Sequence, residues 1–402
     1  MSMRIGICGC GQFAGSFARL WDAHPEVDGV YATDLLADRA SGLVDRLGLA
    51  GTFPTYQDML GDDSIDAVAI FTQRWLHYEP TLAALEAGKH VYSAVPMGIT
   101  LDEIRTIVRR VRETGLLYMM GETSYYHPAV IWAREAIARG ELGRVFYSEG
   151  DYVHDMDNGF YAAYQFSGGE EWRRTASFPP MLYPTHAIGG VLGALATWAT
   201  SVSCLGVVDD RGDGVFDKNV SLWANDFSNM SALFGLADGG MMRTNEFRRV
   251  GHYGEVQESR FRFYGTDLVM EQGSRAAHYT SRVDGAYHDI TDLFLTGEEQ
   301  LPPGIELDGL DPALLESFHS GSSRMHDRSR LPREYDSLPN GHEGSHHYLA
   351  DDFVRAVTTG TQPPVNAWVA ARYTLPGIVA LDSARQGGVR LEIPDLGNAP
   401  TD

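Results

Sequence analysis

Gly9-Cys10-Gly11-Gln12-Phe13-Ala14 fits the spacing G-x-G-x-x-G/A and stands between a short apolar run and an amphipathic segment. A glycine first in such a turn permits the tight bend, and the second lets the backbone approach a pyrophosphate. Ala14 is small enough for the following helix to pack on its strand, and Gln12 and Phe13 open that helix, whose free N–H groups point at the phosphates. Asp34 closes the second apolar run, at the distance where a carboxylate accepts hydrogen bonds from both ribose hydroxyls. It also repels a 2′-phosphate, and neither an arginine nor a serine stands next to it, so the pattern selects NAD over NADP. His342, His346 and His347 form a second group, with Gly341 and Gly344 interrupting any helix and no acidic or cysteine ligand well placed beside them. No metal is expected there. Cys8-x-Cys10 is likewise too close, and too far from any histidine, for a zinc site.

The elements that must hold the glycine turn follow from periodicity. Apolar runs at Arg4–Cys8, Gly29–Thr33, Ala67–Phe71, His90–Ala94 and Leu117–Met120 alternate with helical patterns at Phe13–Ala23, Leu36–Leu47, Leu76–Ala87 and Leu101–Thr114. Continuous apolar strands between amphipathic helices predict an α/β fold with a doubly wound parallel sheet, a Rossmann domain over residues 1–123. After Gly121 the rhythm changes. A helix near Ala129–Arg139 leads to strand-like stretches at Arg144–Glu149, Val215–Phe227, Ser231–Leu236 and Gly240–Phe247, which predict a C-terminal α/β domain, residues 124–402, around a large open, mainly antiparallel sheet. Residues 296–345, rich in Gly, Pro, Ser and Asp, read as a surface excursion. Helices near Tyr348–Thr358 and Trp368–Gln386 close the chain, where they are free to pack back on the first domain.

The chain has 402 residues and a formal charge of −22, from 54 acidic against 32 basic side chains. That charge repels phosphate backbones and anionic lipid, so neither nucleic acid nor membrane is expected as a partner. No apolar run approaches the roughly 20 residues of a membrane span, and no cleavage site follows an apolar opening stretch. Three cysteines cannot make a disulfide framework and suit a reducing compartment, so a cytoplasmic location is expected.

Further along, the chain resembles the Gfo/Idh/MocA oxidoreductases. Thr72-Gln73-Arg74-Trp75-Leu76-His77 looks like the family's T-P-N-x-x-H, and Ala83–Val91 is close to its wording. The resemblance implies a nicotinamide ring held between Thr72, His77, the segment Ala94-Val95-Pro96 and the second domain. Most members read E-K-P where this chain reads Ala94-Val95-Pro96, and their lysine moves a proton at the substrate hydroxyl. Valine cannot. Other stretches resemble one branch, the NAD-dependent α-N-acetylgalactosaminidase-like redox glycosidases: Gly121-Glu122-Thr123, Tyr152-Val153-His154-Asp155, and Tyr183-Pro184-Thr185-His186 preceded by Trp172-Arg173-Arg174.

That branch implies glycoside cleavage through transient oxidation at sugar C3, with removal of the acidified C2 proton and return of hydride from the same cofactor. By resemblance Tyr152 takes the C2 proton, its pKa lowered by Arg174 or protonated His154. His186, and secondarily Tyr183, handle the C3 hydroxyl. Glu122 and Arg174 (or Arg173 in its place) orient the sugar. His347, just before the helix at Tyr348, is placed by its position either to line the sugar site or at the surface. Two alternatives stand beside this: a net sugar or polyol dehydrogenase that releases NADH, and a catalytically silent NAD-binding protein. An open sheet face in the second domain implies a homodimer or homotetramer.

Overall fold

The computed structural model describes residues 2–157, 160–251, 257–296 and 321–400. Its first sheet joins β1 (Met3–Cys8), β2 (Val27–Thr33), β3 (Gly51–Thr52), β4 (Ala67–Ile70), β5 (His90–Ser93) and β6 (Tyr118–Met120) in the order β3-β2-β1-β4-β5-β6, every pair parallel. The order reverses between β1 and β4, so the loops after these strands meet at the crevice where open α/β sheets bind their ligands. Ile5, Ile7, Val68, Ile70, Val91 and Tyr118 are buried between helices on both faces, which is why these strands read as unbroken apolar runs. The helices are Gln12–Ala23, Ala37–Leu47, Tyr78–Glu86 and Leu101–Thr114, within two residues of expectation. Thr100 and Glu103 form a capping box at the start of the last. The two-residue β3 and the short helix Tyr56–Leu60 carry too few residues to show a period.

The second sheet contains β7 (Val145–Val153), β8 (Ala199–Val208), β9 (Phe227–Leu236), β10 (Met241–Phe247), β11 (Ser259–Gly265), β12 (Leu268–Gln272), β13 (Ala277–Ser281), β14 (Ala286–Asp289) and β15 (Leu391–Glu392), ordered β14-β13-β12-β11-β7-β10-β9-β8-β15. Only the β7–β10 pair is parallel. The helices Pro128–Ala138, Thr185–Leu195 and Ala367–Arg385 lie against one face. Glycine makes that contact close: a Cβ on Gly150 would meet the backbone of Ala187, and one on Gly190 the ring of Phe261. The other face carries Glu149 paired with Arg243 and Arg262, and leaves Leu205, Leu233 and Met241 exposed.

Two expectations are corrected. Val215–Phe227 is not a strand; β9 begins only at Phe227. Phe216 and Ala224 adopt left-handed backbone angles, φ 55° and 49°, and Val215 and Phe216 turn their side chains into a small cluster with Met156, Tyr164 and Ala176. Residues 321–345 are not a surface excursion either, while 297–320 lie outside the described residues. Tyr335, Asn340 and Ser345 are buried, and His326 Nε2 pairs with the Tyr126 carbonyl at 2.9 Å. A Gly/Ser/Pro-rich composition excluded regular structure here, not burial.

The helix His346–Thr359 packs on Gln12–Ala23, so a C-terminal segment completes the Rossmann layer. Trp21 Nε1 donates to the Ala350 carbonyl at 3.3 Å, and the Phe17 and His346 rings lie 4.8 Å apart. Trp21 is fully buried beside Tyr92 and Phe353. Trp21→Ala therefore leaves a large cavity at this junction and should cost about 3–5 kcal/mol, read as a lowered denaturation midpoint; a change below about 1 kcal/mol would show that the junction contributes little.

Candidate active site

The glycine turn has the shape of a phosphate cradle. Gly9 sits at φ +93°, and a Cβ there would come within 2.8 Å of the Phe71 backbone. Gly11 has extended angles, φ −72° and ψ −177°, and a Cβ there meets nothing within 4 Å. No side chain caps the helix that follows, and no acidic residue lies in its first turn, so its N–H groups are free for an anion. Asp34 accepts from the backbone N–H groups of Cys10 at 2.7 Å and Leu36 at 2.9 Å. Those bonds fix the carboxylate beside the turn. The residues present therefore fit NAD: a backbone held open, a free helix terminus and an oriented carboxylate.

Rings connect this turn to a polar cluster beneath the second domain. Phe13 lies 5.4 Å from His342, and His342 stacks 6.3 Å from His186. Glu122, directly after β6, is fully buried and caps the 3₁₀ turn Thr123–Tyr126 through the Ser124 N–H. Its Oε1 lies 2.8 Å from His186 Nδ1. The other ring nitrogen of His186 faces the Tyr183 hydroxyl at 3.4 Å. Burial works against charge on His186, but the Glu122 carboxylate outweighs it and raises the imidazole pKa. Burial also works against charge on Glu122, yet His186 and the Ser124 N–H hold its carboxyl low. The three form a chain of phenol, imidazole and carboxylate. Burial pushes the Tyr183 phenol up to about 12, with Arg74 opposing it.

A second group comes from β7 and β10. Tyr152 and His154 stack at 5.3 Å with nearly parallel planes, as residues two apart on one strand face should. Tyr152 also lies 4.7 Å from the His186 ring. His154 Nδ1 pairs with Glu258 at 2.7 Å, while its Nε2 is buried without a partner. The expected lowering of Tyr152 is not found: burial, then Glu258 and Tyr183, raise its phenol well above the ordinary value. Arg248, not Arg174, is the cation stacked on it, 4.9 Å above the ring.

Glu246, aligned with Tyr152 across the β7–β10 pair, is fully buried on the same helix-covered face. Burial pushes its carboxyl up to about 8 although Arg248 lies 2.8 Å away.

Arg174 and His347 fall outside the cluster. Arg174 is half exposed and paired with Glu171 at 3.3 Å, because its helix, Trp172–Ala176, turns that face to solvent. Arg173 donates to the Asp213 carbonyl and stacks on Trp172. His347 packs on Tyr335 and bonds the Pro339 carbonyl at 3.2 Å; its neighbour His342 is the histidine beside His186. His77 is buried with Nδ1 2.8 Å from the Pro96 carbonyl and Nε2 3.1 Å from that of Thr72. It ties the loop after β4 to Val95–Pro96, where the peptide is cis. No group of three metal-ligating side chains occurs among the described residues.

Glu246, Arg248, Glu258 and Arg74 escaped the sequence reading, and His342 entered it only within the histidine group rejected as a metal site. For Glu246 a signal existed: it continues the inward positions Met242 and Thr244 of β10, where a carboxylate is out of place unless it is used.

Residues 3–122 match the Gfo/Idh/MocA model, described as an oxidoreductase family with an NAD-binding Rossmann fold. The chain is 24% identical to a glycosyl hydrolase family 109 protein of Streptomyces coelicolor, over 100% of this chain and 87% of that protein. An oxidoreductase from Agrobacterium radiobacter, solved with NAD+, L-tartaric acid and magnesium, is similar with TM-score 0.73 and 13% identity, covering 98% of each chain. Levoglucosan dehydrogenase, solved with NADH and levoglucosan, gives TM-score 0.73 at 17% identity over 98% of this chain and 100% of that one.

Two outcomes follow from the geometry. Gly11→Ala should fold within about 1 kcal/mol of the parent and lose NAD affinity at least about tenfold. Gly9→Ala, strained by its backbone, should lose about 1–3 kcal/mol of stability as well. Titration calorimetry and thermal melts separate the two, and equal NAD affinity in Gly11→Ala would contradict the cradle. For Glu122→Gln, the cause of the raised imidazole pKa is gone, so His186 should titrate below its ordinary value of 6.5 by NMR. The pair's stabilisation is lost as pH rises through the raised His186 pKa and as pH falls through the lowered Glu122 pKa. In the variant both dependences should vanish, at a cost of about 3–5 kcal/mol near neutrality.

Proposed function

We propose that this chain, whose N-terminal domain is an NAD-binding domain of the Gfo/Idh/MocA type, is a sugar-active enzyme that cleaves a glycoside and regains oxidised cofactor in each turnover. The observation that carries the proposal is the buried chain Tyr183–His186–Glu122 at the crevice edge of the Rossmann sheet. Bound NAD supplies reversible two-electron oxidation of a sugar carbinol carbon, which acidifies the neighbouring C–H.

The chain's own residues handle the protons. The Tyr183 hydroxyl receives the carbinol proton and relays it to His186 Nε2, where Glu122 stabilises the imidazolium on the opposite nitrogen. This replaces the ammonium group that Val95 cannot provide. Tyr152 is assigned the carbon-bound proton. Its buried phenol resists ionisation, and Arg248 over the ring works the other way. Glu246 beside Arg248, with its carboxyl near 8, is poised to exchange a proton around neutral pH. His154 Nε2, buried and unpartnered beside Tyr152, is assigned to protonate the departing oxygen. Water then adds to the sugar and the same relay runs backwards. Similarity to a glycosyl hydrolase family 109 protein across the whole chain supports this reading.

A net dehydrogenase is the second reading. Its support is the similarity to levoglucosan dehydrogenase and the fact that such a reaction needs only Tyr183 and His186. Aryl glycosides of several sugars and both anomers, incubated with NAD, separate the two. The proposal expects aglycone release without accumulating NADH, falling at least about a hundredfold in Tyr152→Phe and in His186→Ala. Stoichiometric NADH without aglycone selects the dehydrogenase, and activity unchanged in both variants removes the site assignment.

A further inference from the structure

The loop after β4 delivers Arg74 to the cluster, and nothing proposed above uses it. Its guanidinium carbon lies 4.3 Å over the centre of the Tyr183 ring, with Tyr164 at 5.5 Å and Phe178 at 5.7 Å on its other sides. Three aromatic rings hold the group flat and attract its charge through their faces. Ring faces accept none of its N–H groups in the usual sense, and a guanidinium has five donors and cannot shed its proton. Among the described residues no carboxylate lies in salt-bridge range of Arg74, and its guanidinium donates no hydrogen bond to protein.

Three other basic groups of the cluster each have a carboxyl partner within reach. His186 has Glu122, Arg248 has Glu246 and His154 has Glu258. His342 is pushed down to about 4, chiefly by burial and then by His186, so it is neutral near pH 7. Glu343, a half-buried neighbour in left-handed backbone, interacts with Glu258 and His186. Among the described residues, Arg74 is thus a permanently charged group of the cluster with no carboxyl partner, in a chain of formal charge −22. Arg74 is half-buried, so three rings hold its guanidinium while part of it stays accessible.

We propose that the substrate carries a carboxylate which Arg74 binds through its two-point fork, so that the sugar is an acidic one of the uronic-acid class. The inference rests on the sugar-active reading of this site. One planar guanidinium matches one planar, singly charged carboxylate. A dianionic phosphate would call for a second cation that the described residues do not place there. The cation stacks on the phenol whose hydroxyl faces His186, so its anion belongs to the molecule that Tyr183 and His186 handle. If Arg74 served only to tune Tyr183, it would act on neutral and acidic sugars alike.

The test compares binding, independently of turnover. NAD-saturated protein is titrated by calorimetry with glucuronate and galacturonate, with glucose and galactose, and with glucose 6-phosphate; Arg74→Gln and Arg74→Lys are treated the same way. The expected result is that a uronate binds about ten- to a hundredfold tighter than its neutral partner. That preference should vanish in Arg74→Gln and survive in part in Arg74→Lys, with neutral-sugar and NAD affinities unchanged. Equal or absent binding of both uronates by the parent protein, which requires no variant to fold, overturns the proposal. Tighter binding of the phosphate also overturns it, as does loss of NAD affinity in Arg74→Gln. Uronate binding without any aglycone release from aryl uronides leaves this inference standing and removes only the cleavage reading.

Discussion

The buried pairing of Glu122 with His186 is the interaction on which the candidate site depends. Neither charged form is favoured there alone: each loses hydration on burial, and each group favours the charged form of the other across 2.8 Å. The pair also joins two domains. Glu122 lies two residues beyond the last Rossmann strand, whereas His186 opens the helix that lies on the second sheet. Whatever holds the two domains together therefore acts on the proton affinity of the imidazole. The fold supplies the necessary rigidity by close approach, with Gly150, Gly189 and Gly190 letting the helix of His186 settle against strand and core.

Around this pair the cluster keeps proton donors and acceptors of different strengths within a few ångströms. Two phenols are pushed up by burial, a carboxyl on β10 is raised to about 8, and the imidazole is raised by its partner. Groups driven apart in this manner are suited to giving and taking protons in sequence. Arginines stack on both phenols, Arg74 on Tyr183 and Arg248 on Tyr152. An apolar Val95 lies where a proton-carrying lysine stands in the resembling family. The groups proposed to move protons, Tyr152, Tyr183 and His186, lie instead on β7 and around the start of the helix Thr185–Leu195.

Much of the first domain was legible because its signals are local. The glycine turn, the apolar strands and the amphipathic helices act within a few positions of themselves. Tyr152 and His154 were likewise readable as one strand face, and Tyr183 with His186 as one turn. What the sequence hid depends on distance along the chain. Arg248 reaches Tyr152 across 96 positions, and His342 arrives beside His186 from a segment whose composition suggested exposure. Arg174 looked suited to the site by type and spacing, yet a short helix turned it to solvent. Helix direction, not residue chemistry, decided that case. His347 and His342 exchanged places for the same reason: a left-handed bend at His342 and Glu343 sends the earlier ring inward.

Isotope labelling of the sugar product tests the central claim most directly. Cleavage is run in deuterium oxide with an aryl glycoside that the protein accepts, and the released sugar is read by NMR. The account predicts deuterium at C2, placed there by the protein's exchanging groups, and retained protium at C3, because the hydride that left returns from the same cofactor. A product free of deuterium at C2 would mean that no carbon-bound proton was removed, and the relay built on Tyr152, Tyr183 and His186 would be contradicted.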